Sequence, residues 1–376
     1  MKRFVIATIL ATGFAGSAPA EVRLGVLVPD SGPAGLFGPS SRQAAQLAAE
    51  DINATGGIAG EPVTLLFADV GVPPAQAVQS VQRLWRAEGV QGFVGMHDSA
   101  VRAAIVSQLR GQVPYVYSAV YEGGECAPDT YVTGETPAQQ LAPVIPWLAE
   151  HEAAHRWYLI GNDYNWPRDT NAAAQDIIAA SGGAVVGEEY VPLGSSDFDA
   201  SLARIRASGA DAVLVTLVGG DSVAFNIAYA AFGLDGQALR LGTLIEENTL
   251  AGIGAANAHR LFASMGFFAS IDSEAARSFD ARLHSRFGAE AAQPNGLGES
   301  LYDGLMLMAA LGNAAGSLEP GAVAAVADGV RYSSPRGNAR LDHNHVAQTI
   351  YLADGSSGQF ATVARFDTVP AGVSCE

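Results

Sequence analysis

Lysine is all but missing. The 376-residue chain carries one, Lys2, and every other basic side chain is arginine. If the N-terminus is a cleaved leader, as its pattern suggests, the remainder holds no lysine at all. That excludes Schiff-base and pyridoxal-phosphate chemistry, and the lysines of P-loops and kinases. Positive charge is scarce in general, 21 Lys+Arg against 38 Asp+Glu, a formal charge of −17. Nucleic-acid binding rests on clustered basic side chains and is excluded on that ground. Cysteine is nearly absent: Cys126 and Cys375 stand alone, with no CxxC spacing for zinc or redox work. Beyond the first 20 residues no apolar run approaches the ~20 residues of a membrane span. There is no GxSxG, no HExxH and no repeat at solenoid periods.

The first 20 residues read as a leader. Lys2 and Arg3 precede an uncharged apolar stretch at 4–16, and Ala18-Pro19-Ala20 offers small residues to a signal peptidase. Cleavage before Glu21 and export to the periplasm are expected, without a lipid anchor, since no Cys follows the cut. Loss of Lys2 and Arg3 leaves 19 basic against 38 acidic residues, a charge of −19. In an oxidising space Cys126 and Cys375 are either bridged or two separate thiols.

Strand and helix signals alternate along the rest. Apolar runs at 23–28, 63–68, 91–95 and 113–117 read as strands. Helical patterns lie at 40–53, capped by Ser40 and stopped by Gly56-Gly57, and at 74–87 and 99–110. After Thr133–Pro137 the rhythm restarts with a helix to about Glu152. Strands follow at 156–161, 184–190, 212–217, 241–244 and 261–268, with helices at 168–180, 198–208 and 221–232. Helices at 273–287 and 300–314 and strands at 348–353 and 359–366 complete the chain. Such alternation predicts α/β lobes, each a doubly wound parallel sheet with helices on both faces. Ligands of such sheets sit beyond the carboxyl ends of strands, which selects 29–39, 95–99, 117–123, 161–168, 217–221 and 244–248.

Those segments carry a resemblance. Val28-Pro-Asp-Ser-Gly-Pro with Leu36-Phe-Gly38, Gln46-Leu-Ala-Ala-Glu-Asp-Ile-Asn53 and Gly56-Gly-Ile-Ala-Gly60 resemble the opening of type I periplasmic binding proteins for branched-chain amino acids, amides and urea. Tyr121-Glu-Gly123, Gly161-Asn-Asp-Tyr-Asn-Trp-Pro-Arg168, Glu188 to Phe198, Gly252-Ile-Gly254, Ser334-Pro-Arg-Gly337 and Asp342-His-Asn-His345 are similar to the urea and short-chain-amide branch. The resemblance implies two lobes joined by three crossings, placed near Val132, Gly266 and Ala347. Lobe 1 is then 21–132 plus 267–346, and lobe 2 is 133–266 plus 347–376. Closure about the crossings is a hinge motion.

The same resemblance implies the site residues. Ser99, at a helix start, matches a position that touches ligand in both the amide and amino-acid branches; the alternative is an ordinary helix cap. His97 stands where the amide branch has an aromatic residue, and Asp98 is an oddity beside it. Ala119 replaces a frequent hydroxyl residue, while Tyr117 and Tyr121 flank it. Tyr164 and Trp166 supply aromatic walls from the second lobe. Glu247, rather than Glu246, matches the family acid that holds an amino or amide N–H. Asp221 reads first as a helix cap and second as a contact. His343 and His345 lack further ligands at metal spacing, so neither a metal nor a cofactor is expected.

The expected function is a non-catalytic receptor that captures urea or a short amide between its lobes and delivers it to the membrane subunits of an ABC permease. A branched-chain or related amino acid is the alternative ligand. An amide sensor acting on a regulatory partner is a third reading, opposed by the leader. A secreted hydrolase is the fourth, without a nucleophile motif to support it.

Overall fold

The computed structural model describes residues 21–373 and Cys375; the expected leader lies outside them. Among the described residues the chain lays down five strands, β1 (Val22–Val28), β2 (Val63–Asp69), β3 (Gly92–Gly95), β4 (Tyr115–Tyr117) and β5 (Thr130–Val132). Then come β6 (Arg156–Asn162), β7 (Ala184–Val191), β8 (Ala212–Thr216), β9 (Leu239–Gly242) and β10 (Leu261–Met265). After two long helices follow β11 (Arg331–Ser334), β12 (Gly337–Asp342) and β13 (His345–Val346), then β14 (Gln348–Asp354) and β15 (Ala361–Val369). These form two sheets, ordered β11-β12-β13-β5-β4-β3-β1-β2 and β15-β14-β10-β9-β8-β6-β7. The chain thus changes sheet after Val132, after Met265 and after Val346.

Each sheet is parallel at its centre, and its middle strands are buried on both faces, as helix-covered sheets require. The all-parallel expectation fails at the edges. β11, β12 and β13 pair antiparallel, as do β10, β14 and β15. β11, β12 and β13 follow one another through tight turns, and β14 and β15 through a short one, which makes them antiparallel neighbours, whereas β14 returns from the other sheet and runs against β10. The hairpin at 331–342 and the short β5 carry too little periodicity to be read from sequence.

Helix boundaries moved for local reasons. The first helix is Gly38–Ala54, with Pro39 in its first turn, and Ser40 is not its cap: the Ser40 hydroxyl donates to the Phe37 carbonyl. The segment expected as one helix to Glu152 is two, Pro137–Gln140 and Val144–Glu152, parted around Pro143. The helix expected from Ser300 begins at Gly296, capped by Asn295. No helix among the described residues is long and apolar enough to cross a membrane.

The three crossings meet on one buried guanidinium. Arg336, in the β11–β12 turn, donates to Glu135 at 2.9 Å, to Gln348 at 2.5 Å and to Glu299. Glu135 follows the first crossing and also accepts the Gly266 amide of the second, at 2.8 Å. Gln348 opens the strand after the third and donates to the Thr133 carbonyl of the first, at 3.2 Å. Asp303 stands nearby, bonded by Tyr332. Burial pulls the Arg336 pKa down, but Glu135, Glu299 and Asp303 outweigh it and hold the arginine charged. Burial pushes the carboxyls of Glu299 and Asp303 up. Three acids against one base leave Glu135 Oε2, Glu299 Oε1 and Asp303 Oδ1 without a partner.

Cys126 and Cys375 are joined, with Cα atoms 5.4 Å apart. The bridge carries the tail beyond β15 back to the loop after β4, and the Thr136 hydroxyl accepts that path by donating to the Ala371 carbonyl at 2.7 Å. The tail is therefore a covalent strap from the second sheet to the first.

Two outcomes follow. Arg336→Leu strands buried carboxylates and should cost about 3–5 kcal/mol, read by denaturant unfolding against wild type. A Cys126→Ser, Cys375→Ser variant should lose about 2–4 kcal/mol, and adding reductant to it should change nothing further.

Candidate ligand-binding cleft

The cleft opens where the carboxyl ends of the parallel strands in both sheets face one another. Its closed part is small, about 40 Å³, and the space along it reaches about 370 Å³ once the open solvent at its mouth is included. Each of the six segments singled out from the strand ends supplies lining: Pro29, Ala34 and Phe37; Met96, His97, Asp98 and Ser99; Ala119 and Val120; Tyr164 and Trp166; Val218; and Leu244. Leu297 adds a seventh element. It was missed because the helix was expected to start at residue 300, while Asn295 caps it and Gly296 begins it. No arginine lines the cavity, and its walls are mainly apolar.

Two glycines let backbones approach at the cleft. A Cβ at Gly219 would lie 2.2 Å from the Pro33 carbonyl oxygen, and its φ of +47° also favours glycine. Gly220 donates to that carbonyl at 3.1 Å, a contact from one lobe to the other. A Cβ at Gly134 would lie 1.7 Å from the carbonyl oxygen of Ala119, so the first crossing runs directly behind the lining.

The polar end of the cleft is built after β3. Asp98, not Ser99, caps the Ser99–Leu109 helix, accepting the Val101 amide at 2.8 Å; burial raises its pKa. Ser99 is 1% exposed and donates its hydroxyl to Glu122. Arg102, one turn on, pairs with Glu122 at 2.8 Å and Glu125 at 3.1 Å and lies over the rings of Tyr117 and Tyr121. The guanidinium is thus consumed inside the lobe.

His97 lines the cavity with its ring, while both nitrogens are engaged. Nδ1 lies 3.0 Å from the Asp98 carbonyl, which only accepts, so Nδ1 carries the proton and Nε2 accepts from the Tyr115 hydroxyl at 2.9 Å. Burial holds the imidazole at about 4, so it is neutral at pH 7. It offers a ligand a flat face rather than a charge.

Of the remaining expected residues, Ala119, Tyr164 and Trp166 line the cavity, the two rings 6.2 Å apart. Tyr117, Tyr121, Asp221 and Glu247 do not. Tyr117 donates its hydroxyl to the His97 carbonyl and supports the lining from behind. Tyr121 is buried against His345, its hydroxyl bonded to that imidazole. Asp221 does not cap its helix. Its carboxylate accepts from Asn162 at 2.7 Å and the Gly194 amide at 2.9 Å, bracing the loop after β7. Glu247 accepts the Ala269 amide at 2.6 Å, just past the second crossing, and its other oxygen is buried without a partner. Its neighbour Glu246 is the helix cap, accepting from Asn248 and Thr249. His343 is exposed beside Asp342 and Asp328, a trio whose ligand atoms lie within 4.8 Å of one another.

These buried groups make stability pH-dependent. Burial pushes Glu246 up to about 7, and burial with the Glu246 charge pushes Glu247 up to about 8. Their contribution is complete below the ordinary 4.5 and is lost as pH rises through 7 to 8. Burial holds His97 and His345 down at about 4, so their contribution is complete above the ordinary 6.5 and is lost as pH falls toward 4. A thermal-unfolding series should therefore peak between about pH 5 and 6.5. Glu247→Gln should flatten the alkaline limb, whereas a Tm climbing steadily from pH 5 to 8 would contradict this assignment.

The cleft and its two sheets are matched among known proteins. The profile of a family described as periplasmic binding protein covers residues 21–359. A Leu/Ile/Val-binding protein homolog of Brucella melitensis biotype 1 is 28% identical over 94% of this chain and 93% of its own. A solute-binding protein of an ABC transporter from Rhodopseudomonas palustris HaA2, solved with p-hydroxybenzoic acid, is 26% identical. It superposes with a TM-score of 0.85 over 94% of this chain and 99% of its own. A branched-chain amino acid transporter substrate-binding protein from Streptococcus pneumoniae, solved with isoleucine, shares the fold at 21% identity. Its TM-score is 0.78 over 93% of this chain and 100% of its own. With the matched profile spanning nearly all of the described residues, the chain belongs to the periplasmic binding protein family and is a binding protein, not an enzyme.

Proposed function

We propose that the chain is the periplasmic substrate-binding component of an ABC importer, and that its ligand is a small solute with an N–H-bearing head and an apolar body. A short-chain alkyl amide fits that description best. The observation that carries this is the polarity of the head end. Ser99 has committed its proton to Glu122, so it meets a ligand as an acceptor, and Asp98 beside it is an acceptor when ionised. No arginine lines the cavity to pair with a carboxylate. The body would lie among Phe37, Val120, Trp166, Val218 and Leu244. Urea, with no apolar part, uses little of that wall, and the relatives named above give urea no support. The periplasmic location rests on the family and on the leader pattern; delivery to a permease rests on the transporter context of the Rhodopseudomonas relative.

A branched-chain amino acid is the second reading, favoured by the Brucella relatives and by the aliphatic lining. Its ammonium would face Asp98 and Ser99. An anionic aromatic acid, the ligand of the Rhodopseudomonas structure, would meet acceptors here.

A ligand that binds only the folded protein raises its stability by RT ln(1 + [L]/Kd). In a thermal-shift screen at millimolar concentrations, propionamide and acetamide should give the largest rises, isoleucine a smaller one, and urea and 4-hydroxybenzoate the least. Trp166→Ala should weaken the best binder by about tenfold or more in calorimetry. A screen in which 4-hydroxybenzoate gives the largest rise would overturn the N–H-bearing reading.

A further inference from the structure

We propose that Glu122 is the positioning residue that ties closure of the lobes to the ligand end of the cleft. Its carboxylate is shared by both lobes. Oε2 accepts from the Ser99 hydroxyl, which belongs to the cavity lining of the first lobe. Oε1 accepts from Arg102 at 2.8 Å and from Asn165 Nδ2 at 2.9 Å. Asn165 is the first residue of the Asn165–Ala180 helix in the second lobe, and it sits between the two aromatic lining residues, Tyr164 and Trp166. One carboxylate thus touches the head-group wall directly and the aromatic wall through Asn165.

The surroundings make this carboxylate a fixed receptor for Asn165. Arg102 is buried, holds Glu122 from one side and Glu125 from the other, and stacks over Tyr117 and Tyr121. The loop from Tyr121 to Cys126 is further pinned by the disulfide to the C-terminal tail. Glu122 is therefore placed before the lobes meet, and the Asn165 bond forms only when they do. Other contacts cross the cleft, such as Asn248 to Ser40 at 3.2 Å and Gly220 to the Pro33 carbonyl at 3.1 Å, but these two end on neutral oxygens. A bond to an ionised carboxylate is the stronger kind. A ligand N–H on Ser99 Oγ would continue the same line of bonds through the hydroxyl to Glu122. This consequence rests on the ligand reading above, whereas the Glu122–Asn165 latch does not.

The test uses the ligand-free mature protein, so a failed ligand assignment cannot disguise the result. Dyes on exposed positions of the two lobes, Gln76 and Asp176, report closure by single-molecule energy transfer. Wild type should make closed excursions. Asn165→Ala leaves the Ser99, Arg102 and Glu122 bonds in place and should lower the closed-to-open ratio about tenfold. Glu122→Gln keeps an acceptor oxygen for Asn165 but not its charge, so it should lower the ratio less than Asn165→Ala does, and in the Asn165→Ala background it should add little, because the bond it weakens is already gone. Asn165→Ala should keep the wild-type Tm within error in the open form, which separates a latch from a folding defect. Absence of closed excursions in wild type, an unchanged ratio in Asn165→Ala, or additive effects in the double variant would each overturn the proposal.

Discussion

A single buried guanidinium has to satisfy every strand that crosses between the lobes. Arg336 reaches Glu135 and Gln348 directly and Gly266 through Glu135, so the three crossings share one charge centre. Only a planar, always-charged side chain with several donors can serve partners in different directions. The arrangement is costly in isolation, because buried ions lose their hydration. It is held by geometry: each donor meets an oxygen, and the surplus acids respond by raised pKa rather than by leaving. All three places where the chain changes sheet thus converge on that centre.

The same device appears again at the cleft. Arg102 gathers Glu122 and Glu125 and is capped by aromatic faces. Arg336 and Arg102 thus gather the buried acids, which gives the lysine-poor composition a local sense without explaining it as a whole. Both are spent on the protein itself. The cavity is left with a neutral imidazole, the Asp98 carboxyl, a committed hydroxyl and mainly apolar walls.

Much of this was legible in the sequence because it is local. The βαβ rhythm placed the central strands, and the crevice rule selected six loops that all reach the cavity. Ser99, His97, Ala119, Tyr164 and Trp166 came from motif resemblance and line the cleft. The misses share a cause, which is that a short polar side chain has more than one possible partner. Ser40 was read as a cap and instead bonds the turn before it. Asp221 was read as a cap and instead braces a loop 26 to 27 residues away in sequence. Glu122 was visible only as part of a Tyr-Glu-Gly match, since nothing local distinguishes it from a surface acid.

By itself, then, the sequence determined the class of fold, the strand ends that bound the cleft and the near-absence of lysine. Periodicity and composition are read residue by residue and need no third dimension. The tertiary structure alone decided which of two cysteines' fates applied, where Arg336 and Arg102 spend their charge, and which acids touch the other lobe. Those outcomes depend on side chains as much as 249 positions apart, brought together by the return of the chain to each lobe. Long-range burial, and the partners it forces on polar groups, is what no local pattern encodes.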